Sequence, residues 1–325
     1  MKLGFAEFEF INHAARSRYY SSGRPLASTA GRPIQFYQRR EQPVVDSHDP
    51  LGWFIPRCRE MGFDAIEGNI APYLDDPNEL DRIGNLLARH GVAISADYGD
   101  DFSNPTKDPE EFRTFARKAK QLGVSVVGVG GMPFSINRFV DDPSFERQME
   151  MIRTGIAPMV EIAADEGLKL GFENHADYRV TDLMEHVVRP IDSPVLGIKL
   201  DTGNCPLVIE DPVDAAHACA DVCYATHFKD MFISPVTPDG GKIVGAPLGR
   251  GHCRLDEVAR ILAAASFADE LILSIEIGWM PPNEDYFEWL ADSVAWCRTT
   301  LAGYLAPFAQ DGTAATTGAD ATRTA

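Results

Sequence analysis

Short apolar runs along the chain are separated by longer segments of helical period. The runs cover residues 2–6, 64–67, 92–97, 124–129, 169–173, 196–201, 224–227 and 271–276. Most are rich in Val, Ile and Leu without strict alternation, which is the pattern of strands covered on both faces. The spacer 109–122 opens with Glu110 and Glu111, closes with Lys118 and Lys120 and stops at Gly123. That charge order suits the helix dipole, and glycine is the usual helix terminator. The spacer 143–167 carries Met149, Ile152, Ile156, Val160 and Ala163 at helical spacing. Asp211 followed by Pro212 caps and starts another helix, and 255–265 and 285–304 complete the set. Eight such alternations predict an α/β fold, a single (β/α)8 barrel of parallel strands over residues 1–306. The rival, an open doubly wound sheet, lacks its Gly-x-Gly-x-x-Gly turn after the first strand.

Two segments break the rhythm. An insertion over residues 12–49, with Arg16, Arg18, Tyr19, Tyr20, Arg24, Arg39 and Arg40, follows the first strand. In a barrel it lies on the catalytic face, as a lid, as a partner-binding loop or as an ordered excursion. Residues 307–325, rich in Ala, Thr and Gly towards the end, offer little to bury and read as a disordered tail.

Charge narrows the partners. Asp and Glu number 48 against 30 Lys and Arg, a formal charge of −18. That balance argues against nucleic acid and anionic membranes as partners. No run approaches the roughly 20 apolar residues of a membrane span, and Glu7 and Glu9 interrupt the early apolar stretch that a secretory signal would need. The six cysteines form no Cys-x-x-Cys pair. Free thiols and a cytoplasmic location are the expectation.

The chemistry gathers where the last four strands stop. They end in Glu173-Asn174-His175, Asp201-Thr202-Gly203-Asn204, His227-Phe228-Lys229-Asp230 and Glu276. Parallel barrel strands open their C-terminal ends onto one face about 4.8 Å apart, so four neighbours can meet at one ion. Taken alone, each residue reads as a cap, an ion-pair partner or a core histidine. Four in succession, each where burying an unpaired charge is costly, point to a metal. Three carboxylates and an imidazole suit Mn²⁺ first, with Mg²⁺ or Co²⁺ next and Zn²⁺ also possible.

These words, together with Glu210-Asp211-Pro212, Gly249-Arg250-Gly251 and Ile275-Glu276, resemble the sugar phosphate isomerase/epimerase family, the xylose isomerase-like TIM barrels. The resemblance is strongest over residues 169–276 and implies one divalent ion held by Glu173, Asp201, His227 and Glu276. It also implies proton transfer beside a carbonyl of a sugar or keto-sugar. His175, two residues beyond Glu173, is the first candidate base; its alternative is a supporting hydrogen bond. Lys229 either meets a substrate hydroxyl or enolate or pairs with Asp230. Glu67 is a weaker candidate for a substrate hydroxyl, and Arg250 either meets an anionic substrate or shapes its loop.

The family's ketose 3-epimerases carry a further Glu shortly after the fifth strand and a His three residues after the Asp ligand. Here those places hold Ala176-Asp177-Tyr178-Arg179 and Asn204. The sequence thus looks closer to the branch acting on oxidised sugars, which includes 3-oxo sugar acid decarboxylases and the α-subunits of C-glycoside deglycosidases. That branch implies a lyase acting on a 3-oxo-glycoside and a small β-rich partner subunit. An isomerase, epimerase or dehydratase acting on a ketose or inosose is the alternative, and an oligomer is expected.

Overall fold

Eight parallel strands close on themselves in a computed structural model of the protein. It describes residues 1–6, 26–27, 33–34, 49–99, 101–103, 108–133, 135–234, 241–280 and 284–308. The strands are β1 (Lys2–Phe5), β2 (Ala65–Gly68), β3 (Ala93–Gly99), β4 (Val126–Gly130), β5 (Lys169–Glu173), β6 (Leu196–Asp201), β7 (Cys223–Phe228) and β8 (Ile272–Ile275). They follow sequence order round the barrel, and β1 closes it by pairing with both β2 and β8. The (β/α)8 expectation holds, and each strand falls within two residues of its predicted run. The helices are α1 (Pro50–Phe54), α2 (Pro77–His90), α3 (Pro109–Gln121), α4 (Phe145–Glu166), α5 (Val180–Leu183), α6 (Pro212–Cys219), α7 (Leu255–Ala263) and α8 (Tyr286–Thr300). A π turn, Met184–Val188, carries α5 on into Arg189–Ile191.

The helix ends follow the local chemistry. Asp76, Asp108, Asp211 and Asp285 each accept a hydrogen bond from a backbone N–H in the first turn of α2, α3, α6 and α8, a cap worth about 1 kcal/mol. Gly91 and Gly167, at φ of 60° and 69°, end α2 and α4 in the left-handed conformation that glycine adopts without a Cβ clash. Helix α2 was not anticipated, although Asp76-Pro77 before it and Gly91 after it are the same start and stop signals that revealed α6 and α3. Its buried stripe is only Leu80, Ile83 and Leu87.

One irregularity sets the face on which the chemistry sits. Between β6 and β7 the pairing jumps from Ile198–Cys223 to Lys199–Ala225, so Tyr224 is the extra residue of a bulge. Beyond it Asp201 stands opposite His227. Without the extra residue Asp201 would face Thr226, and His227 would turn to the other side, because side chains alternate along a strand.

Strand β7 leads into an antiparallel hairpin, Asp230–Ile233 with Ile243–Ala246, that the apolar runs did not foretell. Asp230 fastens the loop beyond this hairpin. Its Oδ2 accepts from the N–H groups of Gly249 and Gly251 at 2.9 and 2.8 Å, and its Oδ1 from those of Met231 and Cys253 at 2.9 and 3.1 Å. A Cβ on Gly251 would lie 2.1 Å from Asp230 Oδ1. The Gly-Arg-Gly word therefore lets the backbone close on a carboxylate. Arg250 itself is exposed and pairs with Asp292 at 2.8 Å, which favours the loop-shaping alternative.

The insertion over 12–49 and the tail over 307–325 lie outside the described residues, apart from Leu26–Ala27 paired with Pro33–Ile34, Asp49, Pro307 and Phe308. All six cysteines are buried and free. Among the described residues no helix is long and apolar enough to cross a membrane.

Replacing Asp230 by Ala leaves four N–H groups without their acceptor. It should cost at least about 2 kcal/mol in urea unfolding, since a single orphaned buried donor costs about 1–3 kcal/mol. Arg250→Ala, which loses one exposed ion pair, should stay within about 0.5 kcal/mol of the parent in the same assay.

Candidate active site

The ends of β5 to β8 bring their side chains to one point. His227 is the hub. Its Nδ1 lies 3.4 Å from Glu173 Oε1, 3.9 Å from Asp201 Oδ2 and 3.0 Å from Glu276 Oε2. All four residues expected from the strand ends therefore meet. The offered ligand atoms of Glu173, Asp201 and His227 lie within 4.8 Å of one another.

Asp201 is fixed from every side. Gly203 and Asn204 donate their backbone N–H groups to Oδ1 at 2.8 and 3.1 Å, and the Asn204 amide donates to Oδ2 at 2.6 Å. The Asn174 side chain bridges the strands, donating to the Asp201 carbonyl at 2.9 Å and accepting from the Asp201 N–H at 2.7 Å. The Asn in Glu-Asn-His and the Asn in Asp-Thr-Gly-Asn thus hold the carboxylate in place.

Lys229 runs to Asp201 Oδ2 at 2.9 Å and Glu276 Oε1 at 2.7 Å. Asp230 is taken up by backbone N–H groups, so the structure does not show the Lys229–Asp230 pair offered as an alternative. Gly203 gives the lysine stem its room, since a Cβ there would lie 2.5 Å from Lys229 Cδ.

Below this layer sits a second one that the sequence pattern did not reveal. Lys199 is buried inside the barrel with its Nζ 2.6 Å from Glu67 Oε1, 2.7 Å from Asp97 Oδ1 and 3.5 Å from Glu173 Oε2. Glu67 Oε1 is also 2.8 Å from His227 Nε2, as an ion pair that is not aligned as a hydrogen bond. Glu67 is thus buried beneath the histidine rather than at the mouth. Lysine in the middle of an otherwise apolar strand, two residues before Asp201 and so on the same face, was the available signal.

Burial pushes every carboxyl of the cluster upward, and the neighbours decide the outcome. At Glu67 Lys199 and His227 overcome burial and hold the carboxyl at about 2. At Glu276 Lys229 and His227 do the same, again to about 2. His227 and Lys199 hold Glu173 well below the carboxylate range. At Asp97 and Asp201 burial prevails and the carboxyl rises. His227 is driven the other way: burial and Lys199 lower it, but Glu173, Glu67 and Glu276 raise it well above the ordinary imidazole value.

The donor set fits a hard divalent cation. Glu276 Oε2 and both oxygens of Glu67 are buried without an aligned hydrogen bond, their cationic neighbours being ion pairs only. Five carboxylates here face two ammonium groups and one imidazole, and that surplus of hard oxygen donors is what such an ion requires.

Beside the cluster a cavity of about 300 Å³ opens to the C-terminal end of the barrel. Asp97, Tyr98, Glu173, His175, Asp177 and His227 line it. The volume is at the small end of ligand pockets, about 300–1,000 Å³. A hollow of about 780 Å³ at the opposite end is larger, but its lining includes Lys2, Arg59, Asp64 and Gly91 and none of the converging strand ends. The catalytic face of such barrels is the C-terminal one. His175 is half-buried on the cavity wall. Asp177, to which the sequence pattern assigned no role, is buried there, and burial raises its carboxyl well above the usual range.

Known proteins share this architecture. A crystal structure of a xylose isomerase-like TIM barrel protein from Mycobacterium smegmatis, in complex with magnesium, superposes with a TM-score of 0.61 at 17% identity, covering 94% of this chain and 98% of that one. D-Psicose 3-epimerase from Clostridium cellulolyticum H10 gives a TM-score of 0.60 at 12% identity, covering 94% and 100%. At such identities the likeness is one of fold. A 3-oxo-isoapionate decarboxylase from Pectobacterium atrosepticum is 30% identical over 135 residues, 41% of this chain and 48% of that protein, so the match spans about half of the relative. The family model described as xylose isomerase-like TIM barrel matches residues 55–300. With its barrel, its strand-end cluster and that match over most of its length, the chain belongs to the xylose isomerase-like TIM barrel family.

Proposed function

We propose that the protein is a divalent-metal-dependent lyase that removes a proton beside the carbonyl of a keto-sugar and expels a leaving group, with a 3-oxo-glycoside as the substrate class. The observation that carries the reading is the meeting of Glu173, Asp201, His227 and Glu276 at the mouth of the barrel, next to a cavity walled by His175. The match to a protein named as a decarboxylase of a 3-oxo compound supports the lyase class. Mn²⁺ is the favoured ion, with Mg²⁺ or Co²⁺ as substitutes.

Glu173, Asp201, His227 and Glu276 would hold the ion. Once bound, it supplies Lewis-acid polarisation of the substrate carbonyl. His175 takes the carbon-bound proton, and the electron pair of that C–H bond moves into the carbonyl system. Collapse of that charge expels the leaving group with its bonding electrons. The Lys229 ammonium, buried between Asp201 and Glu276, sits where it stabilises negative charge on an adjacent oxygen. Isomerisation, epimerisation or dehydration of a ketose or inosose needs the same first step and is the second reading. The protein works in the cytoplasm as an oligomer, and a small β-rich subunit is a partner that the 3-oxo-glycoside reading brings with it.

Glu173→Gln and His227→Asn should each weaken Mn²⁺ binding beyond the roughly 10–100-fold typical of losing a supporting residue. Calorimetric titration of chelator-stripped protein reads this, and unchanged affinity in both removes the site. His175→Ala should keep the ion and lower turnover by about 10²–10⁴-fold. Near-normal turnover dismisses it as the base. In D₂O, deuterium entering a ketose with no fragment released selects the isomerase reading over the lyase.

A further inference from the structure

The C-terminal half of the barrel holds two groups of side chains able to bind a cation, one beneath the other, and they share one imidazole. Glu173, Asp201 and His227 form one; Glu67, Asp97 and His227 form the other, their offered ligand atoms again within 4.8 Å. In the second group both Glu67 oxygens and His227 Nε2 are buried and lack an aligned hydrogen-bond partner. The Lys199 ammonium sits on this group, 2.6 Å from Glu67 and 2.7 Å from Asp97.

We propose that Lys199 is a built-in second cation: its ammonium takes the place at which Glu67 and Asp97, beside His227, would otherwise bind a divalent ion, and so confines the protein to one metal. This rests on the reading of Glu173, Asp201, His227 and Glu276 as ligands of that one ion.

The barrel is shaped to deliver this side chain. The stem of Lys199 crosses the interior from β6 towards β2 and β3, past Gly171 on β5 and Gly128 on β4. A Cβ on Gly171 would lie 3.1 Å from Lys199 Cβ. One on Gly128 would lie 3.0 Å from Lys199 Cδ, 3.1 Å from its Nζ and 2.2 Å from Asp97 Oδ1. Both glycines therefore keep open the path that ends at the second group. A buried carboxylate pair needs a positive charge nearby whatever its source. An ammonium on a chain differs from a metal ion in one respect: it cannot dissociate. One positive charge is thus present beside Glu67 and Asp97 at any metal concentration, and Glu173, with Oε2 at 3.5 Å from Nζ, has its Oε1 towards the other group.

The test is the number of ions bound by the full chain, stripped with chelator, desalted and titrated with Mn²⁺, with calorimetry and elemental analysis as readouts. The parent should bind one ion per chain, Lys199→Ala two, and Lys199→Arg, which keeps the charge, one. Adding Glu67→Gln to Lys199→Ala should return the count to one. A folded Lys199→Ala that binds a single ion overturns the proposal, as does a parent that binds two. Should Lys199→Ala be unfolded when stripped, far-ultraviolet circular dichroism tracks the same titration. Recovery with two ions bound supports the proposal, and no recovery at saturating Mn²⁺ overturns it. A parent that binds no ion removes the metal reading itself, whereas one ion in both parent and Lys199→Ala removes this inference alone.

Discussion

Buried like charge is the constraint on which this structure turns. Glu67, Asp97, Glu173, Asp201 and Glu276 converge at one end of a barrel, several of them with almost no contact with water. Carboxylates at such depth repel one another and have lost their hydration, so each requires a positive charge or a directed donor. The surrounding features read as answers to that requirement. Two lysines arrive from β6 and from just after β7, and an imidazole stands between the two layers. Asp201 also takes backbone N–H groups and an amide. What remains is a surplus of oxygen donors around His227 Nδ1, the local environment that a hard cation satisfies.

The same constraint explains the glycines. A lysine side chain inside a barrel needs a path, and the interior of a small barrel is normally filled by side chains from every strand. Here Gly128, Gly171 and Gly203 leave their layers thin where Lys199 and Lys229 pass. Polar pairing has replaced apolar filling along one side of the core. The outer face of the strands stays apolar, with Leu3, Phe5, Leu170, Ile198 and Leu273 fully buried.

Much of this was legible in the chain. The eight strands were marked by apolar runs, and the helices by Asp-Pro starts and Gly stops, because those signals depend on a few neighbouring residues. The strand-end residues Glu173, Asp201, His227 and Glu276 could be placed on one face because a parallel barrel aligns its strand ends. Asp97 and Lys199 were not picked out, since their partners lie far along the chain and nothing local says that a lysine at 199 reaches a glutamate at 67. The hairpin after β7 was hidden for a related reason: its short strands are half exposed, and their pairing depends on a loop fastened by Asp230. The Gly-Arg-Gly word was visible, but only the carboxylate beneath it shows that the glycines matter more than the arginine.

The extra residue at Tyr224 bears on how such a centre can be moved between proteins. Its hydroxyl donates to the Pro194 carbonyl at 2.9 Å, the Lys169 ammonium lies over its ring at 4.9 Å, and it meets Phe267 in a T-shaped contact. Nothing about it looks chemical. Yet the count of residues along β7 determines which of its side chains face inward at the level of Asp201. A scheme that transplants the four strand-end residues into a regular barrel, matching residue types but not this added position, would assemble the right parts with the histidine facing away from the centre.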